Sequence, residues 1–107
     1  MKKLNFGDVV LLCFPFSNYQ TVKKRPALVI KDTDDGDIIV CRITSKIYKS
    51  SYDIELVDWE NCGLKLPSII RVHKIATMEN EMVEQIMGCI NSKTKKSVKE
   101  LIAKLID

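Results

Sequence analysis

Close pairs of metal ligands are missing from this chain. Its four cysteines, Cys13, Cys41, Cys62 and Cys89, stand 28, 21 and 27 residues apart, and His73 is the only histidine. Zinc and thioredoxin-like sites take their ligands from closely spaced pairs, so no metal and no other cofactor is expected. Glycine is scarce, at four residues, and none of the four forms a phosphate-cradling loop or a nucleophile elbow. No close carboxylate pair follows a metal-site pattern. Long apolar runs are missing too, whereas a membrane span takes about 20 residues. The opening stretch MKKLNFGDVV carries charge without a sustained apolar segment. The chain is therefore expected to act in the cytoplasm, away from membranes, with reduced thiols. Cys13 and Cys41 lie within apolar runs and read as small buried hydrophobes.

What is present suits one ordinary domain over residues 1–107. At this length folding removes roughly 60 to 70 percent of the unfolded chain's surface from water, enough for a core without staples. The net charge of +3 hides a segregation of sign. Residues 1–31 carry +5, residues 32–60 carry −5 and residues 61–107 carry +3. Such segregation points toward charged partners.

DVVLLCFPF (Asp8 to Phe16) predicts a buried strand, and PALVIK (Pro26 to Lys31) a second with proline at its first position. The polar tract SNYQTVKKR between them is a candidate working loop. After the Asp35–Gly36 hairpin signal, IIVCRIT (Ile38 to Thr44) puts Arg42 and Thr44 on one face. YDIELV (Tyr52 to Val57) alternates as a half-exposed strand, and SIIRVHKI (Ser68 to Ile75) places Arg71 and His73 on one side. Residues 79–90 predict a short helix followed by a short strand. Val98, Leu101, Ile102, Leu105 and Ile106 form the stripe of a C-terminal amphipathic helix. Ser92 is its expected N-cap, with Ser97 and Glu100 as a competing capping box. Lys93, Lys95 and Lys96 in its first turns oppose the macrodipole. The expected fold is mainly β with helices (α+β): a compact, SH3-like or barrel-like antiparallel sheet with that terminal helix.

Catalysis by such a chain would rest on acid–base groups and fixed cations, and the candidates are Arg25, Thr44, Arg71 and His73. RNA brings its own nucleophile, the 2′-hydroxyl, so a ribonuclease must align it, move two protons and stabilise a dianionic phosphorane. A guanidinium matches phosphate oxygens and stays charged, and an imidazole can move a proton near neutral pH. Each residue also has a plainer reading: Arg25 as a turn cation, Thr44 as a strand former, His73 as an exposed strand residue. Composition alone describes a β-rich domain that could hold an anionic ligand and does not choose an enzyme.

The segments GDVVLLCFPF, KKRPALVI, IIVCRITS and DIELVDWENCGLKLPSIIRVHKI, followed by the terminal helix, occur in an order that resembles the MazF/PemK-like toxins. These are the mRNA interferases of type II toxin–antitoxin pairs. The resemblance implies a homodimeric endoribonuclease that cleaves single-stranded RNA without a metal. It also implies an antitoxin whose acidic, disordered tail covers the RNA site. By the same resemblance Arg25 contacts the scissile phosphate as acid or charge stabiliser, Thr44 holds the phosphate, and Arg71 is a third phosphate-side group. Family members often carry aspartate two residues after that later arginine, where this chain has His73, which can accept a proton. Lys23, Lys24, Arg42 and Ser45 are expected to bind the RNA. Two alternatives stand beside this reading: a non-catalytic nucleic-acid-binding module on the same fold, and a protein-interaction domain.

Overall fold

The computed structural model describes residues 3–15 and 22–107. Among them lie β1 (Asp8–Pro15), β2 (Val22–Asp32), β3 (Asp37–Thr44), β4 (Asp53–Leu56), β5 (Ser68–Glu79), β6 (Val83–Cys89) and α1 (Ser92–Leu105). A single turn of 3-10 helix, Asn80–Met82, joins β5 to β6. The strands form one antiparallel sheet in the order β4-β5-β3-β2-β1-β6, and no β4–β6 pairing closes it among the described residues. Mainly β structure with a C-terminal helix agrees with the expectation. Among the described residues no helix is long and apolar enough to cross a membrane.

The central strands are apolar on both faces because both faces are covered. Val9, Leu28, Cys41, Ile43, Ile70 and Val72 pack beneath α1, where Val98 is fully buried and Leu101, Ile102 and Leu105 lean in. Burying Val98 contributes about 1.5–3 kcal/mol. Their neighbours Val10, Leu12, Ala27, Val29 and Val40 point the other way and form a second cluster with Leu4, Ile38 and Val83. That second face carries the candidate site at its edge. Burial pushes the Cys41 thiol up to about 12, so it stays protonated and behaves as the expected hydrophobe.

Three local expectations need correction. Strand β2 begins at Val22, so Pro26 lies inside it, paired with Leu11, rather than at its first position. The β2–β3 ladder starts only at Ala27, and on that unpaired side of β2 a missing N–H is tolerated. Residues 22–25 of the expected working loop are thus strand, and residues 16–21 lie outside the described residues. The helix expected from residue 79 is a 3-10 turn. Continued pairing of β5 with β3 as far as Glu79 opposite Asp37, and of β6 with β1, overrides the helical spacing. The N-cap of α1 is Asn91, whose Oδ1 accepts the Thr94 N–H at 2.8 Å, rather than Ser92.

Candidate functional site

Cross-strand register decides which side chains meet. Leu12 pairs with Arg25 and Ala27 with Arg42, so both guanidiniums rise from the face floored by buried Leu12 and Ala27. Thr44, two residues beyond Arg42, shares that face at the end of β3. Together with Ser45 these residues line a cleft of about 340 Å³, whose far wall is Leu64, Lys65, Leu66 and Met87. The wall is fixed by close backbone approach. A Cβ at Gly63, where φ is +80°, would strike the Met87 carbonyl, and one at Gly88 would lie 2.7 Å from the Cys62 carbonyl carbon.

Arg25 and Arg42 are exposed, and neither has an ion-pair or hydrogen-bond partner among the described residues. The Thr44 Oγ1 accepts the Lys46 N–H at 3.1 Å. That turn fixes the hydroxyl while its own proton remains available to donate into the cleft. A second cleft of about 340 Å³ runs past the same two arginines along Leu12, Phe14, Ile75 and Met78, with Lys74 at its border. Two open cations and an oriented hydroxyl beside apolar walls can bind and polarise a phosphodiester.

The other candidates, Lys23, Lys24, Arg71 and His73, do not line the Arg25–Thr44 cleft, although Arg71 pairs with Arg42 across β5 and β3. Lys23 is exposed and, two residues before Arg25, shares its face. Lys24 points to the opposite face, where its Nζ lies 2.8 Å from Glu84 Oε1; the hydrogen bond it donates to that carboxylate raises its pKa. Arg71 does not line the cleft. Its Nε donates to Asp53 Oδ1 at 2.9 Å, with the two side chains only 12% and 3% exposed. Its guanidinium carbon lies 3.6 Å from the centroid of the Tyr48 ring. Burial favours a protonated Asp53, but hydrogen bonds from Arg71 and Ser50 and the Arg71 charge outweigh it and hold the carboxyl below its usual range.

His73 also stays outside the cleft. Its ring packs 5.6 Å from that of Tyr52, and its buried Nδ1 has no hydrogen-bond partner among the described residues. The reason is a register shift. Cys41 pairs with Ile75 but Arg42 with Arg71, so residues 72–74 stand opposite a single step of β3. Simple alternation does not survive that bulge. Sequence reasoning also passed over Lys65 in the cleft wall and Tyr48 on Arg71; GLKLP and SKIYKS offer no periodic signal that would single them out.

A search of the curated proteins finds no match. Solved structures share the fold at low identity. A MazE–MazF complex from Deinococcus radiodurans superposes with a TM-score of 0.79 at 15% identity, covering 96% of this chain and 95% of that one. The Mycobacterium tuberculosis toxin MazF-mt6 gives 0.76 at 17% identity, covering 94% and 96%. An endoribonuclease in complex with its cognate antitoxin from a mycobacterial species gives 0.74 at 14% identity, covering 97% and 95%. The family model of the PemK-like, MazF-like toxins of type II toxin–antitoxin systems matches residues 5–106, and the chain belongs to that family.

Proposed function

We propose that this chain is the toxin of a toxin–antitoxin pair and a metal-independent endoribonuclease that cleaves single-stranded mRNA. The observation that carries the reading is the pair of unpartnered guanidiniums, Arg25 and Arg42, beside the oriented Thr44 hydroxyl. The substrate's 2′-hydroxyl attacks the adjacent phosphorus, the P–O5′ bond breaks, and the products are a 2′,3′-cyclic phosphate and a 5′-hydroxyl. Arg25 stabilises the phosphorane and Thr44 holds a non-bridging oxygen, while Arg42, Lys23 and Ser45 seat the flanking backbone. The cleft's described lining holds no imidazole or carboxylate. Most of the rate gain is therefore assigned to alignment and charge stabilisation. Arg71 acts through Asp53 and Tyr48, not on the phosphate.

Single-stranded RNA suits an open cleft because its 2′-hydroxyls and unstacked bases are accessible. The apolar trough with arginines on its rim equally suits an acidic, amphipathic antitoxin tail, which would compete for the same cations. A homodimer acting in the cytoplasm completes the reading. The absence of a proton-transfer group from the described lining favours one second reading, a binding module without catalysis. Incubation of long single-stranded RNA with pure protein in EDTA distinguishes them. Discrete fragments that Arg25→Ala reduces about 10²- to 10³-fold support the enzyme; salt-sensitive binding without fragments supports the module.

A further inference from the structure

Beside the Arg25–Thr44 cleft lies a cavity of about 540 Å³ that shares Ser45 and Ser68 with it. That volume falls within the roughly 300–1,000 Å³ of small-ligand sites. Its walls are amphipathic: Ile47, Pro67 and Ile69 are apolar, Tyr48 is aromatic, and Asp53 and Glu55 bring carboxylates. The Tyr48 ring is braced by Arg71, which is itself anchored by Asp53. Both Asp53 oxygens are occupied, Oδ1 by Arg71 and Oδ2 by the Ser50 N–H at 2.9 Å. Glu55 is exposed and has no partner among the described residues. It is the cavity's open carboxylate.

Register ties this cavity to the chemistry. Glu55 pairs with Ile69, and Ile69 pairs with Thr44, so the three side chains form one row on one face of the sheet. Two strand spacings separate Glu55 from Thr44, about 10 Å. This is the reach from a held phosphate to the base of a neighbouring nucleotide.

We propose that the cavity receives the base of a nucleotide next to the scissile phosphate, and that Glu55 selects guanine there. The assignment rests on the RNA-cleaving reading above. Guanine presents two adjacent donors on its Watson–Crick edge, N1–H and the N2 amino group, which match the two oxygens of a carboxylate. Adenine and cytosine present one amino donor beside a ring-nitrogen lone pair that repels a carboxylate, and uracil presents one N–H between two carbonyls. Tyr48 and the apolar walls supply the stacking surface on which unpaired RNA bases are held.

The test has two arms. In the first, oligouridine heptamers made with 2′-fluoro sugars, which lack the nucleophile, carry a single central guanine, adenine or cytosine, and their affinities are measured by fluorescence anisotropy. The wild-type protein is expected to bind the guanine heptamer roughly 5- to 150-fold more tightly than all-uridine, the discrimination of a good bidentate pair. Glu55→Gln and the shortened Glu55→Asp should both reduce that ratio to within about threefold. In the second arm, the fragment ends of a long RNA are sequenced for the wild type and for Glu55→Gln. A guanine next to the cut in the wild type should disappear from the variant's pattern while cleavage persists. An unchanged base preference in both variants overturns the proposal, as does a Glu55-dependent preference for another base. Guanine selectivity lost in Glu55→Gln, without cleavage by either protein, upholds the base site and overturns the catalytic reading. Absence of binding to every heptamer overturns both.

Discussion

Removing the carboxylate of Asp53 tests the clamp that holds the site's outer wall. Its partner Arg71 is 12% exposed and Asp53 only 3%, so Asp53→Ala leaves a largely buried guanidinium without its counter-charge. It also removes the acceptor for the Ser50 N–H. Breaking a buried pair from one side costs about 3–5 kcal/mol. Asp53 borders an open cavity, and removing its side chain lets water approach the stranded cation from there, so the lower end, about 3 kcal/mol, applies. For a domain near this length that corresponds to a fall of about 10–20 °C in Tm. The assay is urea unfolding at fixed protein concentration, read as a lowered midpoint with unchanged slope. Adding Arg71→Met to Asp53→Ala should recover more than half the loss, since the orphaned charge is then gone. A loss below about 1 kcal/mol for Asp53→Ala, or no recovery in the double variant, refutes the clamp.

Lowering the pH should weaken the same contact. The folded-state pKa of Asp53 is depressed, so its contribution is present above the unfolded value near 3.9 and is lost as pH falls through the folded value; a stability profile between pH 5 and 2 should be shallower for Asp53→Ala. Asn91→Ala removes the side-chain cap on Thr94 and should cost about 1 kcal/mol in the same unfolding assay. Towards a thiol reagent at neutral pH, exposed Cys89 should react first, whereas Cys41, buried and pushed up to about 12, should react only when the protein unfolds.

The apolar runs made the sheet legible in the sequence. Val9, Val10, Leu28, Val29 and Cys41 are buried whichever face they take, so β1, β2 and β3 declare themselves as uninterrupted hydrophobic stretches. The terminal helix was equally plain, because Val98, Leu101, Ile102 and Leu105 recur at helical spacing and pack on the sheet. Residues 79–90 were not, since Val83, Ile86 and Met87 fit a helix by spacing and only pairing with β1 makes them a strand. At the site, Arg42 and Thr44 followed from alternation within one unbroken strand. The placement of His73 could not follow in that way, because residues 72–74 of β5 stand opposite a single step of β3, whereas Arg71, ahead of that bulge, pairs with Arg42 and is drawn from the cleft by its contacts with Asp53 and Tyr48. Glu55 looks like any edge-strand carboxylate until the register sets it in one row with Thr44.

The central claim is that the Arg25–Thr44 cleft directs the RNA's own 2′-hydroxyl onto phosphorus, and the chemistry of the product ends reports on it most directly. Fragments of a long single-stranded RNA cut in EDTA are ligated and sequenced by methods selective for 2′,3′-cyclic phosphates and 5′-hydroxyls. The expected result is that both ends appear at defined sites with the wild-type protein and fall about 10²- to 10³-fold with Arg25→Ala. Fragments bearing 3′-hydroxyl and 5′-phosphate ends, or cutting that Arg25→Ala leaves at the wild-type rate, would contradict it.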